Sequence, residues 1–210
     1  GLQPNDRFEL IRGDVRDTEA LVSTLRDADA VVHLGEIVGD PACAVNDTFT
    51  LDVNFLATKN IAEICVLHGV SRMIFASSCS VYGAGQEMFN EGSQLNPISL
   101  YAQCKIQSEK VILSFSDKKN FFPTILRLAT VFGESFRPRF DLVVNLLTAK
   151  AIIDKEITVH GGEQWRPFIS VDDVTRAIMT CLSLPADLVG GEIYNTGDRD
   201  LNYQIIDVGK

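Results

Sequence analysis

The sequence predicts a doubly wound α/β fold built on a parallel sheet. Strand-like and helix-like segments alternate along most of the chain, and the strands are nearly continuous in apolar residues. One of them ends in a Ser-rich run that leads into a polar loop. Strands without polar alternation are those buried on both faces, as in a parallel sheet between two helix layers. The joins between such strands are right-handed crossovers.

Taken in order, Phe8 to Ile11 reads as a short strand ending in Gly13-Asp14-Val15. Asp17 caps a helix through about Arg26, with Glu19 in its first turn, where the helix dipole favours a carboxylate. Ala30 to Leu34 is an apolar strand. A loop through Gly39-Asp40-Pro41 precedes a long helix from Asp47 to His68, stopped by Gly69. Met73 to Ser77 is the next strand, and the loop from Gly83 to Pro97 is polar. A helix carrying Tyr101 runs to about Phe115, and Thr124 to Leu128 is a strand. The rhythm then loosens. Asp141 to Ile153 reads as a helix, Ile157 to His160 and Arg166 to Val171 as strands, Asp172 to Leu184 as a helix and Glu192 to Asn195 as a strand.

At 210 residues, 46% hydrophobic and 22% charged, the chain can bury one substantial core. Its formal net charge of -9 argues against a nucleic-acid partner, which needs a basic patch. No apolar run reaches the roughly eighteen residues of a membrane span. The amino-terminal Gly1 to Asp6 has no signal-peptide character. Cys43, Cys65, Cys79, Cys104 and Cys181 are odd in number and scattered, which reads as reduced thiols in a cytoplasmic protein. The three histidines are far apart, so no metal centre is expected.

The chemistry concentrates in Tyr101-Ala-Gln-Cys-Lys105 and in the run Ala76-Ser77-Ser78-Cys79-Ser80-Val81-Tyr82-Gly83. Tyr101 and Lys105 stand one turn apart on one helix face. A free phenol titrates near pH ~10, and an ammonium held beside it favours the phenolate, which makes a usable base. Ser78 falls where a strand's carboxyl end opens into a crevice. A phenol, an ammonium and a hydroxyl together can move a proton onto or off a carbinol oxygen.

These residues resemble the Tyr-x-x-x-Lys signature of the short-chain dehydrogenase/reductases. The Ser77 to Gly83 run is similar to the Ser-Ser-x-x-Val-Tyr-Gly segment of their extended, nucleotide-sugar branch, the NAD-dependent epimerase/dehydratase family. Leu126 to Gly133 is similar to that branch's Leu-Arg-x-x-Asn-Val-Tyr-Gly, and Arg166 to Val174 to its Arg-Asp-Phe-Ile-His-Val-Asp-Asp-Val. The resemblance implies a Rossmann-like core at 1–133 and 166–197, incomplete at its amino end. It also implies part of a small substrate-binding region at 134–165 and 198–210. By the same resemblance, Tyr101 is the acid/base for a sugar hydroxyl, Lys105 holds the nicotinamide ribose and Ser78 bonds the reacting oxygen. Asp14 and Val15 would meet the adenine, while His33, Leu34 and Gly35 would pack against the cofactor. Thr130 and Arg166 would bind substrate. NAD is the implied cofactor, with NADP the open alternative, and the implied partners are a nucleotide sugar and a second copy in a homodimer.

Several positions keep two readings. Asp14 serves equally as a turn residue before the Asp17 cap, and Arg166 as a solvated surface arginine. Arg137 and Arg139 either add positive charge to the substrate pocket or are simply solvated. Asn54 reads as a buried polar helix residue and Asp172-Asp173 as a helix cap. Cys79 and Ser80 occupy positions that are acidic in the family's dehydratases, which favours epimerisation or simple oxidoreduction over water loss. Glu36 replaces a small residue, so it either points outward or alters cofactor binding. No Gly-x-Gly-x-x-Gly turn precedes Phe8, so the chain reads as an internal fragment of an enzyme, by itself inactive. A reductase of a carbonyl substrate and a nucleotide-binding regulator without turnover are the competing functions.

Overall fold

The computed structural model describes residues 7–85, 88–116 and 120–210. The Gly1 to Asp6 run and part of the Gly83 to Pro97 loop lie outside them. The first helix, α1 (Thr18–Leu25), starts where the sequence places it, with the Asp17 carboxylate accepting from the Ala20 amide. The strands β1 (Ala30–His33), β2 (Arg72–Ser78), β3 (Phe122–Leu128) and β6 (Ile193–Thr196) pair in parallel in that order, with β4 (Thr130–Phe132) and β5 (Trp165–Ser170) between β3 and β6 in sequence. This is the expected parallel α/β sheet.

Alternation along the strands explains why helices cover both faces. Met73 and Phe75 of β2, with Ile125 of β3, enter one core with Ile61, Cys65 and Ile112, on helices α4 (Ala57–His68) and α5 (Leu100–Leu113). Ile74 and Leu126 point to the opposite face and meet Cys181 of α7 (Val171–Ser183). The period-two geometry of a strand sends neighbours to opposite faces, so a sheet apolar at every position needs two helix layers. Phe75 and Phe121 are wholly buried, and each such side chain contributes roughly 1.5–3 kcal/mol.

The predicted long helix from Asp47 to His68 is divided. It runs as α3 (Asp47–Leu51), a π-helical turn at Asp52–Leu56, and then α4, following the short α2 (Asp40–Cys43). Gly69 ends α4 in the left-handed conformation at φ 75°, as expected. Two expected strands do not form. Phe8 to Ile11 forms no regular element, and Phe8, Leu10 and Ile11 are exposed, because no described strand lies beside the segment to complete a ladder. Ile157 to His160, which leaves α6 (Val143–Ile153), is likewise irregular.

A second, smaller sheet pairs β4 with β5 in parallel and β5 with β7 (Asn202–Gln204) antiparallel. The cap of α7 is Ser170 and not Asp172-Asp173, since the Ser170 hydroxyl accepts from the Asp173 amide at 3.0 Å. A polar side chain three residues ahead can reach that amide, whereas the two aspartates lie inside the first turn. At the other end Arg72 donates to the carbonyl oxygens of Leu184, at 2.7 Å, and of Cys181. Among the described residues no helix is long and apolar enough to cross a membrane, and no His/Cys/Asp/Glu cluster is built to hold a metal.

Candidate active site

The parallel register brings the carboxyl ends of three strands level: Ser78 lies opposite Leu128, and Leu128 opposite Thr196. Beyond Ser78 the chain turns at once into a short 3-10 helix, Cys79–Tyr82, whose Ser80 amide donates to the Ser78 hydroxyl at 3.2 Å. Helix α5 begins at the Ser99 cap, which accepts from the Ala102 amide, and its first turns press Tyr101 and Lys105 against this strand end. Both side chains are buried, and the Lys105 ammonium lies over the Tyr101 ring, 5.5 Å from its centroid. Ser78, Tyr101 and Lys105 thus lie together at the carboxyl end of β2.

The electrostatics differ from the expected pattern. Lys105 donates to the Ala76 carbonyl oxygen and forms an ion pair with Glu36, the two side chains being only 5% and 4% exposed. Glu36 therefore points inward, against the first of the two readings left open for it. Neither of its buried oxygens accepts a well-aligned hydrogen bond. Burial, followed by the negative charge of Glu36, raises the Tyr101 phenol above its usual value, while Ser78 and Arg139 work in the opposite direction.

Asn54 explains why Glu36 faces inward. Buried in the π-helical turn, its side chain accepts from the Ile37 amide and donates to the Ile37 carbonyl, both at 2.8 Å. That two-way clamp fixes the backbone next to Glu36, and π-helical turns often serve such local purposes. His33 is buried and paired through Nε2 with the Thr58 hydroxyl at 2.8 Å. Since Thr58 donates its proton to the Asn54 carbonyl, Nε2 carries the hydrogen of the neutral imidazole. The His33 side chain thus belongs to the core, while Leu34 and Gly35 are exposed at the end of β1.

The remaining expected residues divide. Asp14 is gripped by Arg16 through Nε at 3.0 Å and Nη2 at 2.6 Å, which holds its carboxyl down to about 2. This is the turn geometry, with Val15 packed within 3.5 Å of the Gly35 position. Thr130 opens β4 opposite Phe168. Arg166 is exposed on β5, donating to the Trp165 carbonyl, and its charge is felt by the half-buried Cys79 beside Ser78. Arg139 reaches the site, where it is paired with Asp141 and its charge bears on Tyr101. Arg137 is exposed.

Sequence reasoning missed a second buried network behind Ser78. Arg127 donates to Glu109 and to the Tyr82 hydroxyl, which in turn donates to Asn195 at 2.6 Å. Glu109 also receives the hydroxyl of Ser77, the residue before Ser78. The signal was an arginine inside an apolar strand and a glutamate one turn beyond Lys105.

The fold is shared with proteins of known family. Residues 2–197 match the NAD dependent epimerase/dehydratase family. The chain belongs to that family. It is 31% identical to an uncharacterized UDP-glucose epimerase, YtcB, of Bacillus subtilis (strain 168), across 95% of this chain and 62% of that protein. Among solved structures, MoeE5 in complex with UDP-glucose and NAD is 32% identical, with a TM-score of 0.84 over 94% of this chain and 65% of that one. The UDP-glucuronic acid 4-epimerase of Bacillus cereus, solved with UDP-glucuronic acid and NAD, is 29% identical with a TM-score of 0.85, over 97% and 64%. The chain therefore spans less than two thirds of the length of these relatives. The donor set of Ser78, Tyr101 and Lys105 fits the nicotinamide end of the family's cofactor. Among the described residues there, the buried Glu36 carboxylate is a group whose charge would oppose a diphosphate.

Proposed function

We propose that this chain carries the catalytic portion of an NAD-dependent epimerase acting on a nucleotide sugar, with activity residing in the whole protein. The observation that carries this reading is the assembly of Ser78, Tyr101 and Lys105 at one carboxyl strand end. Bound NAD would supply the hydride acceptor and donor. Ser78 orients the sugar oxygen by hydrogen bonding, and Tyr101 takes the hydroxyl proton and returns it once the keto sugar has been presented on its other face. Lys105 holds the cofactor's ribose and Arg166 pairs with the substrate diphosphate, a match that guanidinium geometry favours. Asp14 and Val15, with the backbone of His33, Leu34 and Gly35, are proposed to border the cofactor, and Thr130 the sugar. A homodimer through α3, α4 and α5 is proposed as well, supported by the apolar groove of Leu51, Phe55, Leu100 and Ile106.

One observation favours a second reading, reduction of a carbonyl substrate. A phenol held protonated by burial and by Glu36 is better suited to give a proton than to take one. Incubating the whole protein with NAD and UDP-glucose or UDP-glucuronic acid, then separating the sugar nucleotides, distinguishes the two. Epimerisation gives the C4 epimer with no net change in the cofactor. Consumption of NADH in a parallel incubation with a 4-keto sugar nucleotide points to carbonyl reduction, and binding of the cofactor without product in either incubation contradicts both.

A further inference from the structure

The Glu36 carboxylate is an unusual neighbour for a catalytic ammonium. It is buried, both oxygens lack an aligned donor, and among the described residues its ion-pair partner is Lys105. Its backbone is fixed by the Asn54 clamp on Ile37, so the contact is built into the fold and not a chance meeting of surface side chains. Lys105 in turn is anchored by the Ala76 carbonyl and lies 4.6 Å above the Phe75 ring, which limits where the ammonium can go.

We propose that Glu36 is a positioning residue acting through Lys105: its carboxylate draws the ammonium onto itself and so takes from Tyr101 the cation that would otherwise stabilise a phenolate. The inference rests on the assignment of Tyr101 as the proton-transferring group of the site. The buried carboxylate and the phenol share the same low-dielectric space, where a negative charge disfavours a second one.

The surroundings leave few other charges to do this. His33 of β1 is pushed down to about 4 by burial and so is neutral near pH 7. Cys43 of α2 and Cys104 of α5 are pushed up by burial, Cys104 to about 11, and stay protonated. Asp40 bears on Cys43, and Arg139 is matched by Asp141. Burial raises the Glu36 carboxyl itself, and the Lys105 ammonium opposes that rise.

The test requires neither cofactor nor turnover. The chain is labelled with 3-fluorotyrosine, and the Tyr101 fluorine resonance is assigned by its loss in Tyr101→Phe. The resonance is then followed through a pH titration. In Glu36→Gln, which keeps shape and removes charge, the Tyr101 phenol should ionise about one pH unit or more below the native chain. Glu36→Asp, which restores the charge, should return the curve toward native. Should Glu36→Gln not fold, Glu36→Ala, the small residue, is read the same way. Superimposable titrations in a folded neutral variant would overturn the proposal, since a merely structural ion pair changes stability without moving Tyr101. Failure here would leave the epimerase reading standing, because that reading is judged by NAD binding and product analysis.

Discussion

Arg127 Nη2 lies 2.7 Å from Glu109 Oε2, with both side chains 3% exposed, directly behind the strand end that carries Ser78. The pair is fully served, since Glu109 also receives the Ser77 hydroxyl and Arg127 also donates to the Tyr82 hydroxyl. Removing one partner would strand a buried charge. Arg127→Met should therefore cost roughly 3–5 kcal/mol of unfolding free energy by urea denaturation. Adding Glu109→Leu should recover a large part of that loss. A single variant within about 0.5 kcal/mol of native would show that the pair is not coupled to folding.

The pH dependence of stability should carry the signature of His33. Its pKa is lowered to about 4 by burial first and by the Lys105 charge second. An unfolded imidazole titrates near ~6.5, so between these values the unfolded chain binds the extra proton. The neutral imidazole's contribution is thus present above about pH 6.5 and is lost as pH falls toward 4, up to about 3 kcal/mol in all. Urea midpoints measured from pH 7 to pH 4.5 should fall more steeply in the native chain than in His33→Gln. Parallel curves would contradict the burial of a neutral His33.

Asn54 offers a local test. Asn54→Ala leaves the Ile37 amide and carbonyl without their side-chain partners, at a cost of about 1–3 kcal/mol. Hydrogen exchange at the Ile37 amide should accelerate well beyond that of the β2 amides. Unchanged protection at Ile37 would mean that the loop is held by something else.

The parts of the fold that local chemistry decides were legible in the sequence. Asp17 and Gly69 mark helix ends by side-chain capping and by a positive φ, neither of which depends on distant residues. The four-residue spacing of Tyr101 and Lys105 placed them on one face for the same reason. Features decided by a distant partner were not legible. Phe8 to Ile11 has the composition of a strand, but a strand exists only beside another. Ile157 to His160 failed likewise. Glu36 stood out as a departure from a small residue, yet its pairing with Lys105 joins positions far apart in sequence. Spacing alone could say that an ammonium sits beside a phenol, and could not say that a carboxylate would answer it.

The proposed mechanism requires Tyr101 to move the proton of the reacting hydroxyl. Its most direct measurement is the turnover of a UDP-sugar by the whole protein carrying Tyr101→Phe, with NAD affinity determined in parallel by calorimetry. Turnover should fall by about 10²–10⁴-fold while NAD still binds within a few-fold of native. Turnover at the native rate would contradict the claim.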